Sequence, residues 1–117
     1  MRIWRSDPVQ PPVQNQFAIF RLVHVVSKKR IREAVARLPQ YERALLSWYR
    51  LVKTGSFENY AALRNPFPGV DRVGKVFVFN VAGNHLRIIA AVHFNRSKVY
   101  IRDILTHSEY DEQKWKR

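Results

Sequence analysis

Cysteine is absent from the 117 residues, and acidic side chains and long apolar runs are scarce. Without cysteine the chain can form neither disulfides nor cysteine-ligated zinc sites, so nothing indicates an oxidising compartment. The apolar stretch from Leu86 to Val92 is interrupted by Arg87 and is far shorter than the ~20 residues that cross a bilayer. The N-terminus also lacks the apolar core of a signal peptide. We therefore expect a cytoplasmic protein with no membrane contact.

Positive charge is what the sequence has in excess. Lys and Arg number 21 against 9 Asp and Glu, which gives a formal net charge of +12. Such a charge attracts polyanions from a distance, and nucleic acid is the commonest of them. An acidic protein is the alternative partner. A basic surface that serves solubility alone is the weaker interpretation, because solubility rarely needs this much charge.

The length and composition indicate one folded domain, which we assign to residues 17–117. Residues 1–16 are predicted to be an extended arm, because Pro8, Pro11 and Pro12 fix φ and remove backbone donors. With 46% apolar residues, the remainder can bury one core. Residues 20–26 are rich in β-branched side chains and predict a first strand.

Two amphipathic helices are expected after this strand. Ser27 is a candidate N-cap for the first, Pro39 marks the boundary between them, and Gly55 is a candidate stop for the second. Their apolar stripes are Ile31, Ala34, Val35 and Leu38 in the first, and Tyr41, Ala44, Leu45, Trp48 and Val52 in the second. Ser56 is expected to cap a short third helix that ends at Leu63, before a proline-containing loop over residues 65–69.

The second half of the chain predicts an antiparallel meander. Three β-rich runs cover residues 75–81, 86–94 and 98–105, and short turn sequences separate them. A turn centred on Gly83-Asn84 pairs Asn80 with Arg87. A turn centred on residues 96–97 pairs Ala91 with Arg102. Residues 106–109, Thr-His-Ser-Glu, match the capping box and predict a C-terminal helix.

Side-chain alternation along these strands assigns each residue to one face of the sheet. The expected core face carries Phe77, Phe79, Leu86, Ile88, Ala90, Val92, Phe94, Val99, Ile101 and Leu105. The expected opposite face carries Asn80, Arg87, Ile89, His93, Tyr100, Arg102 and Thr106. Two arginines, an amide and aromatic rings on one surface suit an RNA backbone with bases stacked beside it.

The same strands and turns resemble those of a known family. The segment VFVFNVAGNHLRII at residues 76–89, together with YIRD at 100–103 and THSEYD at 106–111, is similar to HigB toxins among the RelE-like mRNA interferases. The shared pattern is a strand ending in Phe-Asn, a Gly-Asn turn, an arginine on the next strand and a closing Thr-His-x-x-Tyr-Asp. The resemblance covers residues 20–111 and leaves the arm at 1–16 without an assigned function.

The resemblance implies an α+β, RelE-like fold, in which an N-terminal strand and helices pack on one face of a small curved antiparallel sheet with a short C-terminal helix. It implies the toxin of a type II toxin–antitoxin system. Such a toxin cleaves mRNA, usually on translating ribosomes, inhibits translation and is neutralised by a HigA-type antitoxin. No cofactor is expected. The chain itself has no cysteine ligands, paired carboxylates or close histidine pair, so metal-dependent hydrolysis is the weaker option.

Four residues are the candidates for catalysis. Arg87 is the first choice for binding the scissile phosphate, because a guanidinium offers a permanently charged, bidentate fork, and the resemblance supports it. Arg102 is the second cation. His107 and Tyr110, three residues apart at a helix start, can face the same end of the sheet. Either can move a proton, Tyr110 can instead stack on a base, and their roles can be exchanged.

Lys75, Arg72 and Asn80 are weaker candidates for RNA binding. By alternation Lys75 points toward the core face, which counts against it, and Asn80 can instead support the turn. Asn84 with Gly83 is expected to serve a turn that needs positive φ. The main alternative function is a non-catalytic RNA-binding module, which would tolerate the loss of His107 and Tyr110. A regulator that binds only protein would cleave no RNA.

Overall fold

The computed structural model describes residues 24–25 and 28–112. The predicted arm, the Ser27 cap and most of the predicted first strand therefore lie outside the described residues. The elements are β1 (His24–Val25), α1 (Lys28–Arg37), a 3-10 turn (Pro39–Tyr41), α2 (Glu42–Lys53), α3 (Tyr60–Leu63), β2 (Asp71–Val73), β3 (Val76–Val81), β4 (Leu86–His93), a second 3-10 turn (Phe94–Arg96), β5 (Lys98–Thr106) and α4 (His107–Asp111). Within these described ranges, no helix has both the length and the apolar character needed to cross a bilayer.

The strands form one five-stranded sheet in the order β1-β5-β4-β3-β2. Strands β2 to β5 are antiparallel neighbours, and β1 runs parallel to β5 at the other edge. The predicted α+β class and the meander of β3, β4 and β5 are confirmed. Strand β2 was not predicted, since three residues are too short to show alternation. It pairs with β3 through a turn at Gly74, whose φ is +62°.

Helices α1 and α2 pack their apolar stripes against one face of the sheet, which we call the helix face. Trp48 is 3% exposed and meets Phe79 edge to face at 5.2 Å between ring centroids, so the tryptophan belongs to the core as expected. Helix α3 is capped by Asn59, whose Oδ1 accepts a hydrogen bond from the Ala62 amide at 2.8 Å. The expectation that Ser56 caps this helix is therefore wrong, because the helix begins three residues later than predicted.

The β3–β4 hairpin has the predicted register. Asn80 is the partner of Arg87, and the His85 amide donates to the Ala82 carbonyl at 3.1 Å. The two central residues have positive φ, +58° for Gly83 and +78° for Asn84. A two-residue turn of this kind needs positive φ at both central positions, and glycine and asparagine adopt it at the lowest cost.

The β4–β5 hairpin corrects the predicted register. His93 pairs with Lys98 and Ala91 with Tyr100, so the predicted pairing of Ala91 with Arg102 is wrong. The reason is the turn, which is a 3-10 segment closed by Ser97 in the left-handed region, at φ 53°, instead of a two-residue connection. The shift of two residues leaves this part of each strand on its predicted face.

A bulge in β5 causes the second correction. Ile101 pairs with Ala90 and Asp103 with Ile89, so Arg102 is an extra residue between them. An extra residue reverses the alternation beyond it. Ile104 consequently lies in the main core, while Leu105 lies on the opposite, outer face, and the expectation of Leu105 in the core is wrong. Thr106, expected on the outer face, pairs instead with Leu86 and caps α4.

The outer face has a small apolar cluster of its own. Val76, Val78 and Ile89 are buried there, and Tyr110 of α4 packs against them. Helix α4 begins with the predicted capping box, in which the Glu109 amide donates to Thr106 Oγ1 at 3.2 Å and the Thr106 amide donates to Glu109 Oε1 at 2.9 Å. Helix α4 therefore reaches the outer face at the end of the sheet nearest the β3–β4 turn.

Candidate active site

Arg87 is held in place by the turn that precedes it. Its side chain lies on the outer face, partly buried, and Nη1 donates to the Asn84 carbonyl at 2.8 Å and to the Leu86 carbonyl at 3.2 Å. Hydrogen bonds from a charged donor are among the stronger ones in proteins. Because both acceptors are backbone atoms, one in the tight turn and one at the start of β4, the guanidinium has a defined position at this end of the sheet.

His107, the first residue of α4, lies beside this guanidinium. Its Nδ1 is 3.3 Å from Arg87 Nη2, and its backbone amide donates to the His85 carbonyl at 2.9 Å. A guanidinium has only donors, so Nδ1 must accept, and the neutral ring then carries its proton on Nε2. Nε2 is 3.5 Å from Asp111 Oδ2, one helical turn further along α4. The imidazole thus lies between a cation and a carboxylate.

Tyr110 completes the group on the same helix. Its ring centroid is 5.5 Å from Arg87 Cζ, within the range of a cation–π contact. The ring also packs on the outer-face apolar cluster, which limits its movement. Arg87, His107 and Tyr110, three of the four predicted catalytic residues, are thus brought together at one end of the sheet.

Asn80 lies directly across from Arg87 on β3, at the mouth of a cavity. Its amide Nδ2 donates to the Gly69 carbonyl over a long 3.5 Å. The cavity has a volume of about 400 Å³, within the range of small-molecule pockets. It is lined by Pro66, Phe67, Pro68, Gly69, Val70, Phe79, Asn80, Gly83 and Asn84. The turn that anchors Arg87 on one side therefore borders this cavity on the other.

The other predicted cations lie elsewhere. Arg102 is exposed at the bulge, three residues and about 10 Å along β5 from Leu105, the partner of Arg87. Lys75 is in the exposed turn at the far end of β3, about 16 Å along the strand from Asn80. Arg72 pairs with Phe77 and lies 5.8 Å over its ring, on the helix face. The structure does not place these three cations beside Arg87.

Comparison with known proteins assigns the family. A family model described as the HigB toxin, the RelE-like toxic component of a toxin–antitoxin system, matches residues 41–113. The chain belongs to the HigB toxin family. The mRNA interferase toxin HigB of Escherichia coli K12 is 36% identical over 92 residues, which cover 76% of this chain and 88% of that relative. The mRNA interferase HigB of Shigella flexneri shows the same values. A HigB from E. coli CFT073 is 33% identical over 93 residues, covering 77% of this chain and 90% of that relative.

The segment matched by the HigB family model contains two contacts that the sequence analysis missed. Asp111 faces His107, and their i, i+4 spacing on a helix was a signal that could have identified the pair. The carbonyls that hold Arg87 belong to the backbone and left no signal in the sequence. Among residues 24–25 and 28–112, no three His, Asp or Glu side chains are grouped as metal ligands would be.

The other two histidines whose side chains are described make aromatic contacts. His85 stacks with Tyr41 at 5.9 Å between ring centroids, and His93 meets Tyr100 edge to face at 5.0 Å.

Glu109 joins two elements of the fold, because it completes the capping box of α4 and pairs with Arg37 of α1. The Thr106 backbone amide and then Arg37 lower the pKa of the Glu109 carboxyl, and partial burial opposes them only in part.

Proposed function

We propose that this HigB family member is an endoribonuclease that cleaves mRNA at the group formed by Arg87, His107 and Tyr110. The observation that carries the proposal is the contact of one anchored guanidinium with both an imidazole nitrogen and an aromatic ring. The relatives named mRNA interferase support the substrate class. The net charge of +12 favours the approach of a polyanion.

Arg87 binds the scissile phosphate in this proposal. Its Nη1 is engaged by backbone carbonyls, whereas Nη2 faces His107 and can turn its donors toward a non-bridging phosphate oxygen. A preorganised cation stabilises the charge that builds up on the phosphorane, and removal of one such donor typically costs about 10²–10³ in rate.

His107 acts as the general base. The 2′-hydroxyl oxygen attacks the phosphorus, its proton passes to His107 Nδ1, and the bond from phosphorus to the 5′-oxygen breaks. The products are a 2′,3′-cyclic phosphate and a 5′-hydroxyl. Nδ1 suits this role because it is the acceptor nitrogen of the neutral ring, and its lone pair becomes available to the 2′-hydroxyl proton when Arg87 Nη2 turns toward the phosphate. Asp111, at 3.5 Å from Nε2, stabilises the imidazolium that forms.

The departing 5′-oxygen needs a proton from a second group, since in-line attack places the two oxygens on opposite sides of the phosphorus. Tyr110 is the group that we assign to this step, because its ring lies over the same guanidinium. General acid–base catalysis of this kind contributes about 10²–10⁴ in rate. The alternative role of Tyr110 is to stack on a base, which its ring could perform without the hydroxyl.

Asn80 and the adjoining cavity bind the nucleotide next to the cleavage point. The cavity combines apolar walls from Pro66, Phe67 and Pro68 with the amides of Asn80 and Asn84. Single-stranded RNA is read in this manner, by stacking on apolar surfaces and hydrogen bonds to base edges. Lys75, Arg72 and Arg102 contribute positive charge for RNA beyond this site and make no contact with the reacting phosphate.

Cleavage takes place in the cytoplasm on mRNA bound to the ribosome, and a HigA-type antitoxin neutralises the protein. The family description as the toxic component of a toxin–antitoxin system supports an antitoxin partner. The ribosomal step is consistent with a strongly basic chain, since ribosomal RNA presents a dense array of phosphates.

The test is mRNA cleavage in a purified translation system, with the ends of the products mapped. We expect wild type to cleave, Arg87→Ala to lose about 10²–10³ in rate, and Tyr110→Phe to lose at least about tenfold. Arg43→Ala removes the same charge from an exposed position on α2 and should stay within about threefold. Folded wild type that binds RNA but cleaves none, with and without ribosomes, would favour the non-catalytic binding module. Full activity of Tyr110→Phe would assign the ring to stacking instead.

A further inference from the structure

Helix α4 is too short to hold its own position. It has five residues, whereas isolated helices shorter than about 12 residues are marginal in water. Yet it carries His107 and Tyr110, the two groups that must meet Arg87. Contacts with the rest of the fold must therefore fix the place and direction of α4.

One side chain from the other half of the chain makes such a contact. Arg37, the last residue of α1, donates from Nη2 to the Ile104 carbonyl of β5 at 2.7 Å. Its Nη1 lies 3.2 Å from Glu109 Oε2 and 3.4 Å from Oε1. The same guanidinium thus joins three elements, the end of α1, the bulged half of β5 and the first turn of α4.

Glu109 is bound from two directions at once. Its Oε1 accepts the Thr106 backbone amide at 2.9 Å, which closes the capping box, while Arg37 contacts both of its carboxylate oxygens. The capping box fixes the beginning of α4 relative to β5 only. Arg37 adds a second attachment, to α1, and two attachments at different angles restrict rotation of a short helix about its first residue.

We propose that Arg37 is a positioning residue for RNA cleavage, acting through Glu109 to hold α4 so that His107 faces Arg87. The proposal rests on the function proposed above. The family model begins at residue 41, so this contact comes from a part of the chain that the model does not match. Arg37 reaches α4 through Glu109, from which it is separated by 72 positions in the sequence.

The effect on catalysis is separable from folding. The Arg37 and Glu109 side chains are 47% and 42% exposed, and exposed ion pairs contribute little to stability. A small displacement of a catalytic group, however, can reduce a rate by far more than it reduces stability. Arg87 Nη1 keeps its hydrogen bonds to the Asn84 and Leu86 carbonyls, which do not belong to α4, so RNA binding should stay near its normal strength even if α4 moves.

The experiment compares Arg37→Met with Arg32→Met in single-turnover cleavage and RNA-binding measurements. Arg32 is exposed on the same helix, so its variant controls for the loss of one positive charge. We expect Arg37→Met to lower the cleavage rate about tenfold with RNA affinity within about twofold of the control. Arg37→Lys, which keeps the charge but has one donor group instead of a fork, should recover part of the rate.

Glu109→Gln provides the second half of the test. Glutamine also completes a capping box, so this variant keeps the beginning of α4 and weakens only the contact with Arg37. It should also lower the rate, and the double variant should be no slower than Arg37→Met, because the contact that Glu109→Gln weakens is already absent from that variant. If Arg37→Met fails to fold, Glu109→Gln and Arg37→Lys decide the question in the same way.

A direct readout of α4 keeps this proposal distinct from the proposed function. Amide hydrogen exchange of residues 109–111 and the ring resonances of His107 should change in Arg37→Met and not in Arg32→Met. If wild type cleaves no RNA, the function fails, and these spectra alone still decide whether Arg37 positions α4. Unchanged exchange and unchanged ring resonances, or cleavage by Arg37→Met equal to the control, would overturn the proposal.

Discussion

The two faces of the sheet differ in burial: the helix face is a closed core, whereas the outer face exposes polar and charged side chains. On the helix face, Phe79, Leu86 and Ile88 are all at most 1% exposed and pack beneath α1 and α2. On the outer face, a cluster of three buried side chains is followed along the strands by Asn80 and Arg87, which reach solvent. Leu86 and Arg87 are adjacent in sequence, but one lies in the core and the other at the candidate active site.

This difference shows how a small domain can carry a charged site without weakening its core. Alternation sends successive side chains of a strand to opposite faces. The apolar area that stabilises the fold is concentrated on the helix face, so the outer face can present cations and a short helix. Substitutions on the two faces should therefore affect different measurements, stability for the helix face and cleavage for the outer face.

The largest effect is expected on stability from Leu86→Ala. The side chain is fully buried, and truncation of a buried leucine costs about 2–5 kcal/mol, a large fraction of the stability of a small domain. Urea unfolding measures the change. Leu51→Ala, at an exposed position on α2, is the matched control and should change stability by less than about 1 kcal/mol. Arg87→Ala should behave like this control, and a loss equal to that of Leu86→Ala would contradict the division between the faces.

The next largest effect is expected on activity, from His107→Gln. The substitution keeps the backbone hydrogen bond to His85 but removes the ring nitrogen that accepts the proton, so we expect a loss of about 10² in cleavage rate. Stability should change by less than about 1 kcal/mol. His93→Gln alters another exposed histidine of the outer face and should stay within about threefold of wild type. Equal losses in the two variants would remove His107 from the chemistry.

The same comparison explains how far the fold follows from the sequence. Most residues of the helix face could be predicted from the sequence, because alternation in strands and apolar stripes in helices both indicate burial. The Gly83-Asn84 turn also predicted the correct β3–β4 register. The β4–β5 register could not be predicted, because no residue type marks the bulge at Arg102 and a 3-10 turn replaces the expected two-residue connection. Strand β2 was missed for its length. The register and β2 errors lie where backbone geometry, and not side-chain type, decides the structure.

The candidate site divides in the same way. Arg87, His107 and Tyr110 could be selected from residue type and position in the predicted elements, and they are close together in the fold. Lys75 and Arg72 were chosen for their charge and for their place just before the sheet, but the turn at Gly74 places them at its far end. The contacts that hold the site together could not be predicted from the sequence. The Asn84 carbonyl is a backbone atom that every residue type would supply, and Arg37 is far from Glu109 along the chain.

A smaller effect, about 1 kcal/mol in stability, is expected from Gly83→Ala. No atom lies within 4 Å of the added Cβ, so the cost comes from the positive φ of +58°, which an L side chain tolerates poorly. Gly74→Ala is the matched control, with a φ of +62° and an equally open position in the β2–β3 turn. Both variants should lose similar stability in urea. Only Gly83→Ala should also lower cleavage, since its turn supplies the Asn84 carbonyl that anchors Arg87, and equal activity of the two would contradict that anchoring role.

The smallest expected effect is the pH dependence of the stability that ionised Glu109 contributes. The carboxyl pKa is lowered in the folded protein by the Thr106 amide and then by Arg37, so ionised Glu109 stabilises the fold above its unfolded pKa of about 4.3. That contribution should be lost as the pH falls below this value and through the lower folded pKa. Because the side chain is 42% exposed, we expect at most about 1 kcal/mol. Urea unfolding should therefore show wild type more stable than Glu109→Gln at pH 7, with the difference shrinking as the pH falls through the lowered folded pKa of Glu109. Glu33→Gln, which removes a carboxylate from an exposed pair on α1, should show a difference of no more than a few tenths of a kcal/mol at pH 7. A difference between wild type and Glu109→Gln that persisted unchanged at pH 3 would mean that the side-chain amide, and not the loss of charge, weakens the attachment of α4.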